Sequence, residues 1–137
     1  MYSAIIELGY SPGIQSNRDD DESAEQSTAI PEPILSALTV ANRNDHLVFV
    51  DFYAEWCLAC KVLEADTLEN PLVVSALEDY ERLKVDTDLY PEAASFYKVV
   101  GMPTLLILNS AGEEIYRSVG LIEPEELEVQ LRRLAIK

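Results

Sequence analysis

Cys57 and Cys60 are the only cysteines in this 137-residue chain, and they stand three positions apart in Trp56-Cys57-Leu58-Ala59-Cys60-Lys61. Thiols at this spacing can close a small disulfide loop and reopen it, passing two electrons each time. Other uses of the pair fit less well. A structural disulfide stabilises mainly by closing a loop in the unfolded chain, and so short a loop contributes roughly 2 kcal/mol or less. A zinc site needs four ligands, whereas the single histidine, His46, lies eleven residues before Cys57 and no second CxxC exists. Inert core cysteines would suit an apolar helix, but Trp56 and Lys61 flank this pair. The alternative from a different class is a delivery module whose CxxC holds copper or an iron–sulfur cluster between two chains.

Chemistry of this kind has to be positioned. The strand-like run Leu47-Val48-Phe49-Val50-Asp51-Phe52-Tyr53 leads into the cysteines, and a helix-compatible run leaves them from Leu58 to about Leu68. A CxxC at the mouth of a βα unit places the first sulfur at a helix N-terminus. Unpaired N–H groups and the helix dipole there favour a thiolate on Cys57. Asp51 interrupts the apolar strand six residues before Cys57. A carboxylate in that position is costly unless its pKa rises, or unless it faces water at a strand edge. Glu64, one helical turn after Cys60, either stacks over the same site and titrates jointly with Asp51, or is an ordinary solvated side chain.

The segment Asp51 to Lys61 resembles the active-site segment of thioredoxins, and Gly101-Met102-Pro103-Thr104 resembles that family's Gly-x-Pro-Thr loop. Within the superfamily the chain most resembles the C-terminal thioredoxin-like domain of the DsbD thiol:disulfide interchange proteins. Those domains share the hydrophobic-Ala dipeptide between the cysteines, an acid at the place of Glu64 and a Thr-x-x-x-Pro-x-Val segment, here Thr67 to Val73. The dipeptide Leu58-Ala59 departs from the Gly-Pro usual in thioredoxins, which counts against a general housekeeping thioredoxin. Similarity extends from about Leu47 to Leu131.

The resemblance implies a thiol:disulfide oxidoreductase in which Cys57 and Cys60 react and Asp51, behind the second cysteine, takes its proton. It also implies a cis Pro103 facing the disulfide, where it blocks metal approach. Trp56, Met102, Pro103 and Gly120 would line the partner-binding surface, with Tyr53 packed beneath Trp56. No cofactor beyond the redox-active disulfide is implied. The partners implied are proteins carrying disulfides and an upstream electron donor, either a membrane electron-transfer domain or a reductase. A monomer is expected.

Composition bounds the rest. With 48% hydrophobic residues, a chain of this size buries roughly two-thirds of its unfolded surface in one core. Twenty-five acids against ten bases give a net charge of −15, which repels nucleic-acid phosphates and anionic lipid headgroups. No window reaches the ~18 to 20 apolar residues of a membrane span, and Met1 to Tyr10 lacks the basic start and long apolar core of a signal peptide. The expected compartment is cytoplasmic if the chain is complete as written, and periplasmic if it is a domain of a larger exported or membrane protein.

Residues 1–30 read as an N-terminal extension and 31–137 as the folded domain. Within the extension, Ala4 to Leu8 suggests an edge strand or a segment that packs on a neighbour. Ser11 to Ala29, with its acidic cluster Asp19 to Glu22, suggests a mobile linker or an arm for a basic partner. Pro31 and Pro33 precede a helix with Ile34, Leu35, Leu38 and Ala41 on its apolar face, ending near Asn42 to Asp45. After the active-site helix, Asn70-Pro71 predicts a break and Leu72 to Tyr80 a second helix. Leu83 to Asp86 predicts a strand, Pro91 to Val99 a helix and Thr104 to Leu108 a buried strand. Asn109 to Gly112 turns into an alternating strand, Glu114 to Val119, and Pro124 opens a last helix with Leu127, Leu131, Leu134 and Ala135 on one face. The order predicts an α/β fold class, a thioredoxin fold with a mixed central sheet flanked by helices.

Overall fold

The computed structural model describes residues 29–136. The expectations for Ala4 to Leu8 and for the acidic cluster Asp19 to Glu22 lie outside the described residues. Helix α1 (Ile34–Arg43) precedes strand β1 (Leu47–Tyr53), which leads to the cysteine turn and helix α2 (Leu58–Leu63). Helix α2 widens into a π-helical turn, Glu64–Leu68, before α3 (Pro71–Ala76) and a 3-10 turn, Leu77–Asp79. Then come β2 (Tyr80–Asp86), α4 (Pro91–Phe96), β3 (Thr104–Leu108), β4 (Glu114–Val119) and α5 (Pro124–Ala135). Among the described residues no helix is long and apolar enough to cross a membrane.

The four strands lie in the order β2-β1-β3-β4. The β1–β2 pair is parallel, joined through α2 and α3, while β1–β3 and β3–β4 are antiparallel. Strands β1 and β3 are central and apolar on both faces, as strands covered by helices on both sides must be. Side chains alternate along β1. Val48, Val50 and Phe52 meet α1, Ala93 and Tyr97 on one face of the sheet. Phe49 joins Leu105 and Ile107 under Leu63, Leu68, Val73, Leu127 and Leu131 on the other. Each fully buried Leu or Phe contributes about 1.5 to 3 kcal/mol relative to exposure. Asp51 follows Phe49 on the same face, at the end of β1 nearest the cysteines. In register it lies opposite Lys84 of β2 and Leu105 of β3.

Several expected boundaries shift, each for a physical reason. In α1 the inward face is Ile34, Ala37, Leu38 and Ala41, while Leu35 is exposed. Three- and four-residue steps from Ile34 reach Ala37 and Leu38, and Leu35 falls about 100° away. The expected helix to Leu68 is α only as far as Leu63. Asn70 then caps α3 by accepting the Leu72 N–H at 2.9 Å, with Pro71 in the first turn where its missing N–H costs nothing. Tyr80 is the first residue of β2 rather than the last of a helix. Its buried hydroxyl donates to the Leu131 carbonyl at 2.6 Å, a tertiary anchor that local periodicity cannot show. Helix α4 stops at Phe96, two residues before Lys98, whose φ is +56°. Strand β4 has the expected limits, yet as an edge strand none of its residues is buried, so its alternation is not expressed as burial.

Gly112, in the β3–β4 turn, has φ +82° and accepts a 2.8 Å hydrogen bond from the Tyr97 hydroxyl. A Cβ here would lie 2.6 Å from Ile30 Cδ1 and 3.0 Å from Leu38 Cδ1. Gly112→Ala combines left-handed strain with overpacking, so it is expected to destabilise the fold by about 2 kcal/mol. Thermal denaturation of parent and variant checks this; an unchanged Tm would show that the turn relaxes freely.

Candidate active site

Strand β1 ends at Tyr53, buried Ala54 follows, and the chain turns so that Cys57 becomes the N-cap of α2. The Cys57 Sγ accepts the Cys60 N–H at 3.1 Å, where a Ser or Asp oxygen commonly sits. Donors at a helix start favour negative charge on that sulfur. Cys57 and Cys60 form a disulfide with Cα atoms 5.3 Å apart. Both are buried in a small cluster with Ala54, packed by Tyr53, Ala59 and Met102. Their neighbours are the reverse: Trp56 is 69% and Leu58 75% exposed.

Hydrogen bonds and packing link four loops around the cysteine turn. The Trp56 indole N–H donates to Asp88 Oδ2 at 2.9 Å. Met102 reaches the cysteine cluster, and the Thr87 hydroxyl contacts its Sδ at 3.1 Å. The Met102–Pro103 peptide is cis, and the Pro103 carbonyl accepts the Gly120 N–H at 2.8 Å. Gly120 has φ +89° with open space where a Cβ would stand, so backbone conformation rather than crowding favours glycine there.

Behind the disulfide lies a cavity of about 180 Å³ lined by Asp51, Cys60, Glu64 and Lys84, among others. Asp51 is only 5% exposed, on a sheet face and not at a water-facing edge. Burial raises its pKa to about 6, and the Glu64 charge adds to the effect while Lys84 and Arg82 oppose it. Glu64 lies 3.6 Å from Lys84 Nζ, and its Oε1 finds no hydrogen-bond partner among the described residues. The Lys84 ammonium also stands 4.4 Å from the Tyr53 ring centroid, a cation–π distance. Thus Asp51, Cys60 and Glu64 share one cavity, and Cys57, Cys60 and Met102 share one cluster. Among the described residues no three His, Cys, Asp or Glu side chains form a group able to hold a metal, and His46 stands at the opposite end of β1.

Lys84, Thr87 and Asp88 were not singled out by sequence reasoning. The signal for Lys84 was a charge alternating with apolar Leu83 and Val85, but only the parallel register shows that it faces Asp51. Nothing local marks Thr87 or Asp88, which act on residues distant in sequence.

A disulfide held at the cap of a helix, on a four-stranded mixed sheet covered on both faces, is the working group of a thiol:disulfide oxidoreductase. The chain belongs to the thioredoxin family: the family model described as Thioredoxin matches residues 37–133. It is 31% identical over 140 residues to "Thiol:disulfide interchange protein DsbD 1" of Pseudomonas aeruginosa, a match covering 97% of this chain and 24% of that protein. It is 44% identical over 85 residues to a thioredoxin of Chlamydia trachomatis, covering 59% of this chain and 76% of that one. Among solved structures, a thioredoxin from Thermus thermophilus superposes with a TM-score of 0.67 at 31% identity, over 78% of this chain and 85% of that one. The oxidised DsbD C-terminal domain of Neisseria meningitidis gives 0.61 at 25% identity, over 72% and 90%. The chain spans about a quarter of the length of the Pseudomonas interchange protein it matches.

The raised pKa of Asp51 makes stability depend on pH. Unfolded aspartate titrates near ~3.9, so below that value the buried carboxyl is neutral in both states. As pH rises toward about 6 the unfolded chain ionises first, and the protein loses stability on the order of 2 to 3 kcal/mol. Asp51→Asn is therefore expected to raise Tm above the parent at pH 8, with the difference shrinking as pH falls toward ~4. Paired melting curves across this range check it; a variant less stable than the parent at pH 8 would contradict the sign.

Proposed function

We propose that Cys57 is the attacking thiolate, Cys60 the resolving thiol and Asp51 its proton acceptor in the reduction of disulfides on partner proteins. The observation that carries this division of labour is the cavity behind the site: Cys60 and Asp51 line it, and Cys57 does not. In the reduced protein, Cys57 Sγ attacks one sulfur of a partner disulfide. That bond breaks, a mixed disulfide forms, and the partner's other sulfur leaves as thiolate. Cys60 then gives its proton to the Asp51 carboxylate, directly or through water, and attacks Cys57 Sγ. The partner leaves with both sulfurs reduced, and the protein keeps the Cys57–Cys60 disulfide.

Glu64 and Lys84 act on this step through charge, one raising the proton affinity of Asp51 and the other lowering it. Trp56, Met102, Pro103 and Gly120 form the surface that receives the partner chain. Two electrons from an upstream donor restore the dithiol. The likeness to the interchange proteins favours a membrane electron-transfer domain as that donor, and a soluble reductase is the counterpart for a free thioredoxin.

Three variants test the assignment. Cys57→Ser is expected to abolish insulin reduction. Cys60→Ser is expected to attack without resolving, so that partners accumulate as mixed disulfides on non-reducing gels. Trapping by Cys57→Ser instead would reverse the roles. Asp51→Asn is expected to slow resolution by up to about 100-fold and to remove the rate's dependence on pH near 6. Stopped-flow Trp56 fluorescence follows both.

A further inference from the structure

Helix α4 ends in a left-handed turn that leads into the Met102–Pro103 loop. The Lys98 N–H donates to the Ser95 carbonyl at 3.0 Å and the Val99 N–H to the Ala94 carbonyl at 2.8 Å, with Lys98 itself at φ +56°. These are the two bonds of a Schellman cap, in which glycine usually takes the left-handed place. Lysine there is strained by its Cβ. The cap satisfies the carbonyls of Ala94 and Ser95 and leaves those of Tyr97 and Lys98, past the helix end, without a helical partner.

Arg117 reaches both of them from β4. Its Nη2 donates to the Tyr97 carbonyl, and its Nη1 lies 3.4 Å from the Lys98 carbonyl. Glu114, on the same strand, braces the guanidinium from one side, accepting from Nε at 2.8 Å and from Nη2 at 2.9 Å. A planar fork held in this way keeps its remaining donors aimed, and its cation suits the negative end of a helix. Beyond the turn, the Thr104 hydroxyl holds the Gly101 carbonyl at 2.6 Å and Met102 packs in the cysteine cluster. Before it, Tyr97 is anchored by its own hydroxyl, and Val99 packs partly on the core. None of these contacts sets the strained turn between Tyr97 and Val99, and Val100 is 99% exposed.

We propose that Arg117 is a positioning residue: by holding the left-handed turn at Lys98 it sets where the Met102–Pro103 loop stands, and so governs affinity for partner polypeptides without entering the thiol chemistry. This rests on the placement of Met102 and Pro103 at the partner-binding surface given above. A loop whose turn is open part of the time binds with an affinity reduced by the closed fraction. A small disulfide that reaches Cys57 without lying along the loop is indifferent to it.

The experiment uses the full chain and compares insulin with bis(2-hydroxyethyl) disulfide, a small neutral substrate, while amide hydrogen exchange at Lys98 and Val99 reports the turn. Arg117→Met keeps an unbranched side chain and removes every donor. Exchange at the two amides is expected to quicken about tenfold, the scale of a hydrogen bond to a charged group. KM for insulin is expected to rise about threefold, with kcat and the small-disulfide rate unchanged. Lys98→Gly relieves the strain without supplying a donor, so adding it to Arg117→Met should recover most of both losses. Glu114→Gln leaves the cation in place and loosens its brace, and should give a smaller rise in KM with the same split between substrates. Unchanged exchange in Arg117→Met, equal losses on both substrates, or no recovery with Lys98→Gly would each overturn the proposal. Met102→Ala separates the underlying reading: if it leaves KM for insulin unchanged, the partner-binding surface itself is misplaced. If it raises KM and Arg117→Met does not, only the positioning role fails.

Discussion

The carboxyl of Asp51 has to be kept on a buried sheet face, and much of the structure around the cysteines follows from that requirement. An isolated ionised carboxylate in such a place costs several kcal/mol, which a protein lowers by neutralising the group or by bringing in a countercharge. Both occur here. Burial raises the pKa to about 6, and Lys84, opposite in the parallel register, pulls in the other direction. Glu64 then adds negative charge to the same cavity while pairing with Lys84 at 3.6 Å. Two acids and one lysine around a cavity leave the net balance close enough for a proton to enter or leave near neutrality. A lone aspartate, or one fully matched by a lysine, would hold its charge state more firmly.

One wall of that cavity is α2 and its continuation, through Cys60, Lys61, Glu64 and Ala65. Past Glu64 the helix widens into the π-helical turn Glu64–Leu68, where the Thr67 hydroxyl is anchored to the Ile122 carbonyl at 2.7 Å. That bond ties the helix behind the second cysteine to the loop that follows Gly120. The loop is tied in turn to Pro103. The wall behind the disulfide and the surface in front of it are therefore parts of one hydrogen-bonded frame.

Much of this was legible in the sequence wherever the controlling interaction is local. Strands β1, β3 and β4 have the limits expected from Leu47–Tyr53, Thr104–Leu108 and Glu114–Val119 because apolar runs and turn residues bound them. The cysteine spacing likewise declared the chemistry. Long-range pairing was the part that stayed hidden. Tyr80 belongs to a strand because its hydroxyl finds a carbonyl on α5. Lys84 faces Asp51 because two parallel strands chose one register among several. The charges that oppose each other around Asp51 thus come together only through the crossover, which no short window contains.

The two sulfurs of one small loop consequently experience different surroundings. Cys57 takes its environment from the backbone: its Sγ is the helix cap, and the donor it accepts belongs to the fixed main chain. Cys60 takes its environment from side chains, through a cavity whose charge shifts with Asp51, Glu64 and Lys84. A backbone donor is insensitive to pH, whereas a carboxyl titrating near 6 is not. Under the roles proposed above, pH acts on exchange at two places: the attacking thiol must lose its own proton before it reacts, and the protonation of Asp51 sets how readily Cys60 gives up its proton. Side-chain substitutions at Asp51, Glu64 or Lys84 act on the second of these, because all three line the cavity beside Cys60.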